Sequence, residues 1–156
     1  MMKKITLAAA GLAVAATASL AGGHAGPLDA AVGARQAQMQ LYAFNLGILG
    51  GMAQGKTEYD AAAAAAAANN LAALTSLDQS AMWPQGSDSD SLEASRALPA
   101  MWENFPDVIA KGTALAEAAA AMAGAAGNGV EGIQANIGAV GGTCGACHKA
   151  YRAPNS

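Results

Sequence analysis

The sequence predicts an all-α protein folded as an antiparallel four-helix bundle. Beyond residue 21 the chain divides into four Ala- and Leu-rich stretches separated by Gly, Ser, Asp and Pro, and none shows the sustained alternation a strand needs. The last stretch places Ile133, Ile137, Val140, Cys144 and Cys147 at a strict four-three-four-three spacing, the seam of a helix packed on other helices. The connections run short, long, short, which makes helices one and two neighbours, and likewise three and four. No recurring unit supports the alternative of stacked helical repeats.

The first helix is expected from about Leu28 to Met52. Met39, Tyr42, Leu46 and Leu49 fall on one side of it, and Leu41, Phe44, Ile48 and Met52 nearly opposite. A helix apolar on two sides needs two partners, its own bundle and a second subunit. Thr57, with Asp60 three residues on, reads as the N-cap of a second helix. The run Ala61 to Ala68 is low-complexity but made of the best helix former, and Leu71, Leu74 and Leu77 supply its packing stripe. A long irregular segment follows, DQSAMWPQGSDSDSLEASRAL, punctuated by Pro84 and Gly86 and centred on Trp83. The third helix spans about Pro99 to Gly124, where Pro106 either kinks it or marks its true first turn. Gly127, Asn128 and Gly129 end it, and the fourth helix runs to the C-terminus.

At 156 residues the chain has room for one ordinary domain, and with 4% aromatic residues its core is either built from small side chains or completed by something the sequence does not encode. Lys3 and Lys4, the apolar run from Ile5 and small residues before Ala21 read as a secretory signal peptide over residues 1–21, with cleavage as late as residue 25. The expected mature domain is residues 22–156, exported and free of a membrane. Without Lys3 and Lys4, six basic residues face eleven acidic ones, for a formal charge of -5. That balance excludes nucleic acid and anionic lipid as partners.

Near the C-terminus, GGTCGACHKAYR holds the only two cysteines, Cys144 and Cys147, with His148 beside them. C-x-x-C-H is the attachment pattern of c-type haem. On a helix the two thiols lie one turn apart and His148 is four residues from Cys144, so both thiols reach one haem edge while the imidazole faces the iron. A thioredoxin-like dithiol wants a strand-to-helix setting that this chain lacks. Structural zinc wants four ligands, against two cysteines, His148 and at most His24. A disulfide closing so small a loop would stabilise little.

Together with ARQAQM at 34–39 and MWENF at 101–105, these residues give the chain a resemblance to the cytochrome c′ family, including its low-spin cytochrome c556-type relatives, over essentially the whole mature length. The resemblance implies a periplasmic four-helix bundle with one covalent haem c through Cys144 and Cys147, His148 as proximal ligand, and commonly a homodimer through the first two helices. It places Arg152 beside the imidazole, Arg35 on a haem propionate with Gln36 also near the haem, and Met39 on the distal side of the iron, as a second ligand or as a cover. Trp83 aligns loosely with an aromatic residue of the distal pocket. An exposed Arg35 with a snorkelling charge, and a merely solvated Arg152, are the competing readings. The expected function is single-electron transport between Fe(II) and Fe(III) with an unidentified redox partner; the alternative is a five-coordinate haem that binds NO or CO. An enzyme is disfavoured, because no distal histidine is available to move protons.

Overall fold

The computed structural model describes residues 26–154, so the expected signal peptide and His24 lie outside the described residues. Four long helices form the bundle: α1 (Pro27–Ala53), α2 (Ala61–Thr75), α4 (Phe105–Ala125) and α5 (Val130–Tyr151), with a one-turn helix α3 (Ala100–Glu103) before α4. The main packing runs α1 on α2, α2 on α4, α4 on α5 and α5 back on α1, a closed ring in which each long helix has two flanking neighbours. Both expected neighbour pairs are present. Among the described residues no strand forms beyond one isolated antiparallel bridge between Ala97 and Arg152.

The helix ends follow local chemistry. Pro27 occupies the first turn of α1, where its missing N–H costs nothing, and the Asp29 carboxylate accepts from the Gly26 N–H at 3.1 Å. The α2 cap is Asp60 rather than Thr57: its carboxylate accepts from the Ala63 N–H at 2.8 Å. Asp60 wins because residues 57–59 remain outside the helix, so the three-residue offset that suggested a box instead links a loop residue to the cap. Pro106 marks a true first turn. The expected continuous third helix is broken at Asn104, whose φ of -128° and ψ of 53° leave the helical region, and α4 starts afresh with Pro106 in its first turn. A continuous helix would need a Pro106 N–H for the Trp102 carbonyl, and proline has none.

The buried stripe of α1 is Val32, Arg35, Gln38, Tyr42, Asn45, Leu49 and Met52. That register corrects one expectation: Met52 belongs to the core at 4% exposure rather than to the outer side. Met39 lies one turn after Arg35 on the same side of α1 and is 37% exposed. Leu41 and Phe44 do face outward. The physical reason is that three polar residues, Arg35, Gln38 and Asn45, occupy buried positions, so following only apolar residues around the helix misplaces its inward side.

One core cluster fills the bundle with Leu49, Leu71, Met122, Ile133 and Val140 around Ala64, Ala67, Ala68, Ala119 and Ala126. Alanines on facing helices let backbones approach closely, while the larger side chains supply most of the apolar area, about 1.5–3 kcal/mol for each fully buried one. Residues 105–128 are long and apolar enough to cross a bilayer by length and composition alone. In the bundle this segment packs on α2 and α5, with Ala119 and Met122 fully buried. The far turn is tied by Tyr59, whose hydroxyl donates to the Ala126 carbonyl and accepts from the Gly129 N–H, both at 2.9 Å.

Gly129 carries φ 134°, a conformation side chains disfavour, and the first turn of α5 then passes so close to α4 that a Cβ on Gly132 would meet the Ala125 carbonyl. Gly132→Ala is therefore expected to destabilise the fold by about 1–3 kcal/mol, the cost of overpacking. Gly138→Ala, where a Cβ meets nothing within 4 Å, should be neutral or slightly stabilising. Urea denaturation of both variants decides the matter, and equal midpoints would contradict the close approach.

Candidate functional site

A second cluster sits at the other end of the bundle: Ala97, Met101 and Tyr151 are buried, with Trp83, Ala100, Trp102, Val108 and Cys147 packed on them. Cys144 and Cys147 are each half-buried, one turn apart on α5, and are not joined to each other. Burial raises both thiol pKa values, and the neighbouring Cys147 adds to the rise at Cys144. They therefore stay protonated near neutral pH, the opposite of the low-pKa thiolate that a dithiol oxidoreductase needs. Tyr42 of α1 lies across from Cys144, and its hydroxyl is pushed up to about 12, chiefly by burial and then by the charge Cys144 would carry.

His148 follows on the same helix, half-buried. Its pKa is lowered, first by burial and then by the guanidiniums of Arg152 and Arg96. Arg152 Nη1 lies 3.5 Å from His148 Nδ1, so the structure brings this expected pair together. The imidazole is thus held in the neutral form that can ligate a metal. Among the described residues no three His, Cys, Asp or Glu side chains converge on one point. Two protonated thiols one helical turn apart, with a neutral imidazole next in sequence on the same helix, fit the chemistry of a c-type haem: two thiols for two vinyl groups and one nitrogen for iron.

Arg35 is buried at 4% exposure, which removes the exposed reading. Its Nη1 donates to the Met82 carbonyl at 3.1 Å and to Ser87 Oγ at 2.7 Å. Its Nη2 donates to the Ser87 carbonyl at 2.5 Å and to Ser95 Oγ at 2.7 Å. The guanidinium also lies over the Trp83 ring, 4.6 Å from its centroid. All four Nη hydrogens thus go to the long loop between α2 and α3, leaving the Nε–H for any further acceptor. Gln36 is exposed and also serves this loop, donating to the Ala94 carbonyl at 2.7 Å. Trp83, half-buried, meets Trp102 edge to face at 6.4 Å, and Trp102 Nε1 donates to the Trp83 carbonyl at 3.1 Å.

The sequence profile described as Cytochrome C′ matches residues 30–152. The chain belongs to this family. As a cytochrome c′ family member it carries haem c covalently through Cys144 and Cys147, and its bundle is the family's fold. It is 47% identical over 88 residues to cytochrome c-554 of Cereibacter sphaeroides, a match covering 56% of this chain and 66% of that protein. It is similar to the solved cytochrome c′ of Rhodobacter sphaeroides, with a TM-score of 0.80, 39% identity, and coverage of 82% of this chain and 98% of that one. A third relative is a solved cytochrome c′ with an unusual ligand-controlled dimer dissociation, at 29% identity, TM-score 0.73, and coverage of 82% and 97%.

Several residues of this cytochrome's site escape sequence reasoning. Ser87 and Ser95 are the buried acceptors of Arg35, hidden in a loop that reads as polar and solvated. Arg96 meets the C-terminal segment, its Nη2 donating to the Ala153 carbonyl, only because the loop returns there. Gln38 is buried at 3%, donates to the Leu74 carbonyl at 3.0 Å, and leaves its Oε1 without a partner. Its place three residues after Arg35 and four before Tyr42 was the available signal. Asp107 of α4 accepts from the Tyr151 hydroxyl at 2.5 Å and pairs with Lys111 at 3.5 Å.

Two outcomes follow from these contacts. Arg35→Ala leaves buried oxygens of Met82, Ser87 and Ser95 without their donor and should cost about 2–4 kcal/mol, whereas Gln36→Ala, which loses one exposed bond, should cost under about 1 kcal/mol. Chemical denaturation, with limited proteolysis in residues 84–96, measures both. The second concerns acid. Tyr151 holds the Asp107 carboxyl below the usual carboxylate range. The folded pKa is the lower one, so this stabilisation is complete above the unfolded value near ~3.9 and is lost as pH falls through the folded value. Tyr151→Phe should lose stability at pH 7 and draw closer to wild type as pH falls below the unfolded carboxylate value, as measured by denaturation across that range.

Proposed function

We propose that the mature protein, residues 22–156, is a periplasmic mono-haem cytochrome that carries single electrons, with His148 as proximal ligand and Met39 on the distal side. The observation that carries this reading is the half-buried Cys144, Cys147 and His148 set, with the imidazole kept neutral beside Arg152. The bound haem c supplies the Fe(II)/Fe(III) couple. Trp83, Trp102, Met101 and Tyr151 cluster with Cys147 and would exclude water on that side of the group, which would lower the cost of reorganising solvent when the charge changes. Arg152 beside His148 Nδ1 offers no acceptor for a ring proton, so the imidazole is not drawn toward imidazolate and stays a weak donor. Arg35, with its Nε–H not used by the loop, remains the candidate partner for a propionate, and Gln36 holds the adjoining loop.

A second reading is binding of NO or CO on a five-coordinate haem, with Met39, four residues after Arg35 on α1, covering the distal side without ligating the iron. The relative with ligand-controlled dimer dissociation supports it. A homodimer is supported by Leu41 and Phe44 of α1, 50% and 66% exposed, with Leu77 after α2 at 49%. Leu41 and Leu77 line one groove with Asn45, Asn70, Ala73 and Leu74. The redox partner is a protein of unassigned identity.

Absorption spectra of the purified holoprotein discriminate between the two readings. Sharp, split ferrous bands that Met39→Ala abolishes mark methionine ligation and electron transport; a broad high-spin spectrum unchanged by Met39→Ala marks the open distal side and gas binding. Phe44→Glu should shift sedimentation from dimer to monomer, and a monomeric wild type at high concentration would refute the dimer.

A further inference from the structure

Ser87 has no exposure to solvent, and four hydrogen bonds that involve side chains meet on it. Its Oγ accepts from Arg35 Nη1 and donates to the Pro84 carbonyl, both at 2.7 Å. Its carbonyl accepts from Arg35 Nη2 at 2.5 Å and from Ser95 Oγ at 2.7 Å. Ser95 Oγ accepts in turn from Arg35 Nη2 at 2.7 Å and from the Ala97 N–H at 3.3 Å. A hydroxyl has one hydrogen, and Ser87 spends it on Pro84, so the side of Oγ that meets Arg35 is fixed as an acceptor.

The same contacts place Trp83. Ser87 N–H donates to the Pro84 carbonyl at 3.3 Å, closing a turn in which Gly86 takes a φ of 78°. Trp83 leads directly into that turn. The guanidinium that Ser87 and Ser95 orient lies 4.6 Å from the Trp83 ring centroid and 6.0 Å from that of Trp102. Trp83 packs on the buried cluster of Ala97, Met101 and Tyr151, and so does Cys147, one tether of the haem. A site poor in water disfavours the form with the greater charge, which for the haem is Fe(III).

We infer that Ser87, supported by Ser95, is a positioning residue for the haem: it fixes the Arg35 guanidinium over Trp83, and through that stack holds Trp83 as a dry wall beside the cofactor. The inference rests on the water-excluding role proposed for Trp83 and adds the group that keeps it in place. It gives the long loop a keystone, because Ser87 joins its two halves to each other through Pro84 and Ser95 and joins both to α1 through Arg35.

The test uses the oxidised holoprotein, whose two tryptophans give two indole N–H resonances in the NMR spectrum. In the wild type the Trp83 resonance is expected outside the iron-free range, displaced by the unpaired electrons of the haem. Ser87→Ala should move it toward that range and shift the reduction equilibrium toward the oxidised form. Ser91→Ala, which removes an exposed hydroxyl that donates to Asp88 in the same loop, should change neither. Where Ser87→Ala does not fold, Ser95→Ala, which leaves Ser87 in place, is read instead and should move the same two quantities the same way by less. An unmoved Trp83 resonance, or a moved one with an unchanged reduction equilibrium, overturns the inference and leaves Ser87 a loop residue only. Equal changes in Ser91→Ala, or failure of both Ser87→Ala and Ser95→Ala to fold, overturn it in favour of a general loss of loop structure. A wild-type Trp83 resonance at an iron-free position, with the haem absorption intact, overturns the inference together with Trp83 as a wall and leaves His148 and Met39 untouched.

Discussion

The burial of one guanidinium governs the haem end of this bundle. Taking Arg35 out of water is costly, and the cost is offset only where the Met82, Ser87 and Ser95 oxygens are in place and Trp83 lies under the charge. The loop therefore has one seat on α1, and α1 has one loop conformation that satisfies it. Everything next to Cys147 follows: Trp83 is brought against Trp102, and the loop's last residues arrive where they can pair with Arg152.

The bundle itself is built thinly. Alanines at 64, 67, 68, 119 and 126 allow close helix approach but each removes little apolar area from water. Leu49, Leu71, Met122 and Ile133 supply the larger contribution. At the cysteine end the walls are two tryptophans, a tyrosine and a methionine, surfaces suited to a large flat cofactor and dependent on a loop for their placement. A covalent tether on α5 suits that division, because it fixes the cofactor to a helix whose position the alanine packing already determines.

The charges around the site show a similar economy of partners. Asp107 is engaged by Tyr151 and Lys111, so the carboxylate nearest Cys147 is not available to the two arginines beside His148. The imidazole therefore meets positive charge with no compensating anion among the described side chains.

Much of this molecule was legible because it is written in local chemistry. Helical stretches, the neighbours they form through short connections, and the Cys144, Cys147 and His148 set on one helical turn follow from periodicity and spacing alone, and the cytochrome c′ family likeness from the stretches GGTCGACHKAYR, ARQAQM and MWENF. The inward side of α1 did not, since Arg35, Gln38 and Asn45 are buried and a count of apolar residues gave Met52 the outer place. Nor did Asp60 as cap, because which of two acceptors closes a helix depends on where the preceding turn releases the chain. Ser87, Ser95 and Arg96 read as loop residues until the loop is folded back onto α1 and the C-terminus. Sequence determined which groups can bind the cofactor, for their covalent spacing is fixed along one helix. Tertiary structure decided which charges surround them, because burial and pairing between residues about fifty positions apart are properties of the closed bundle.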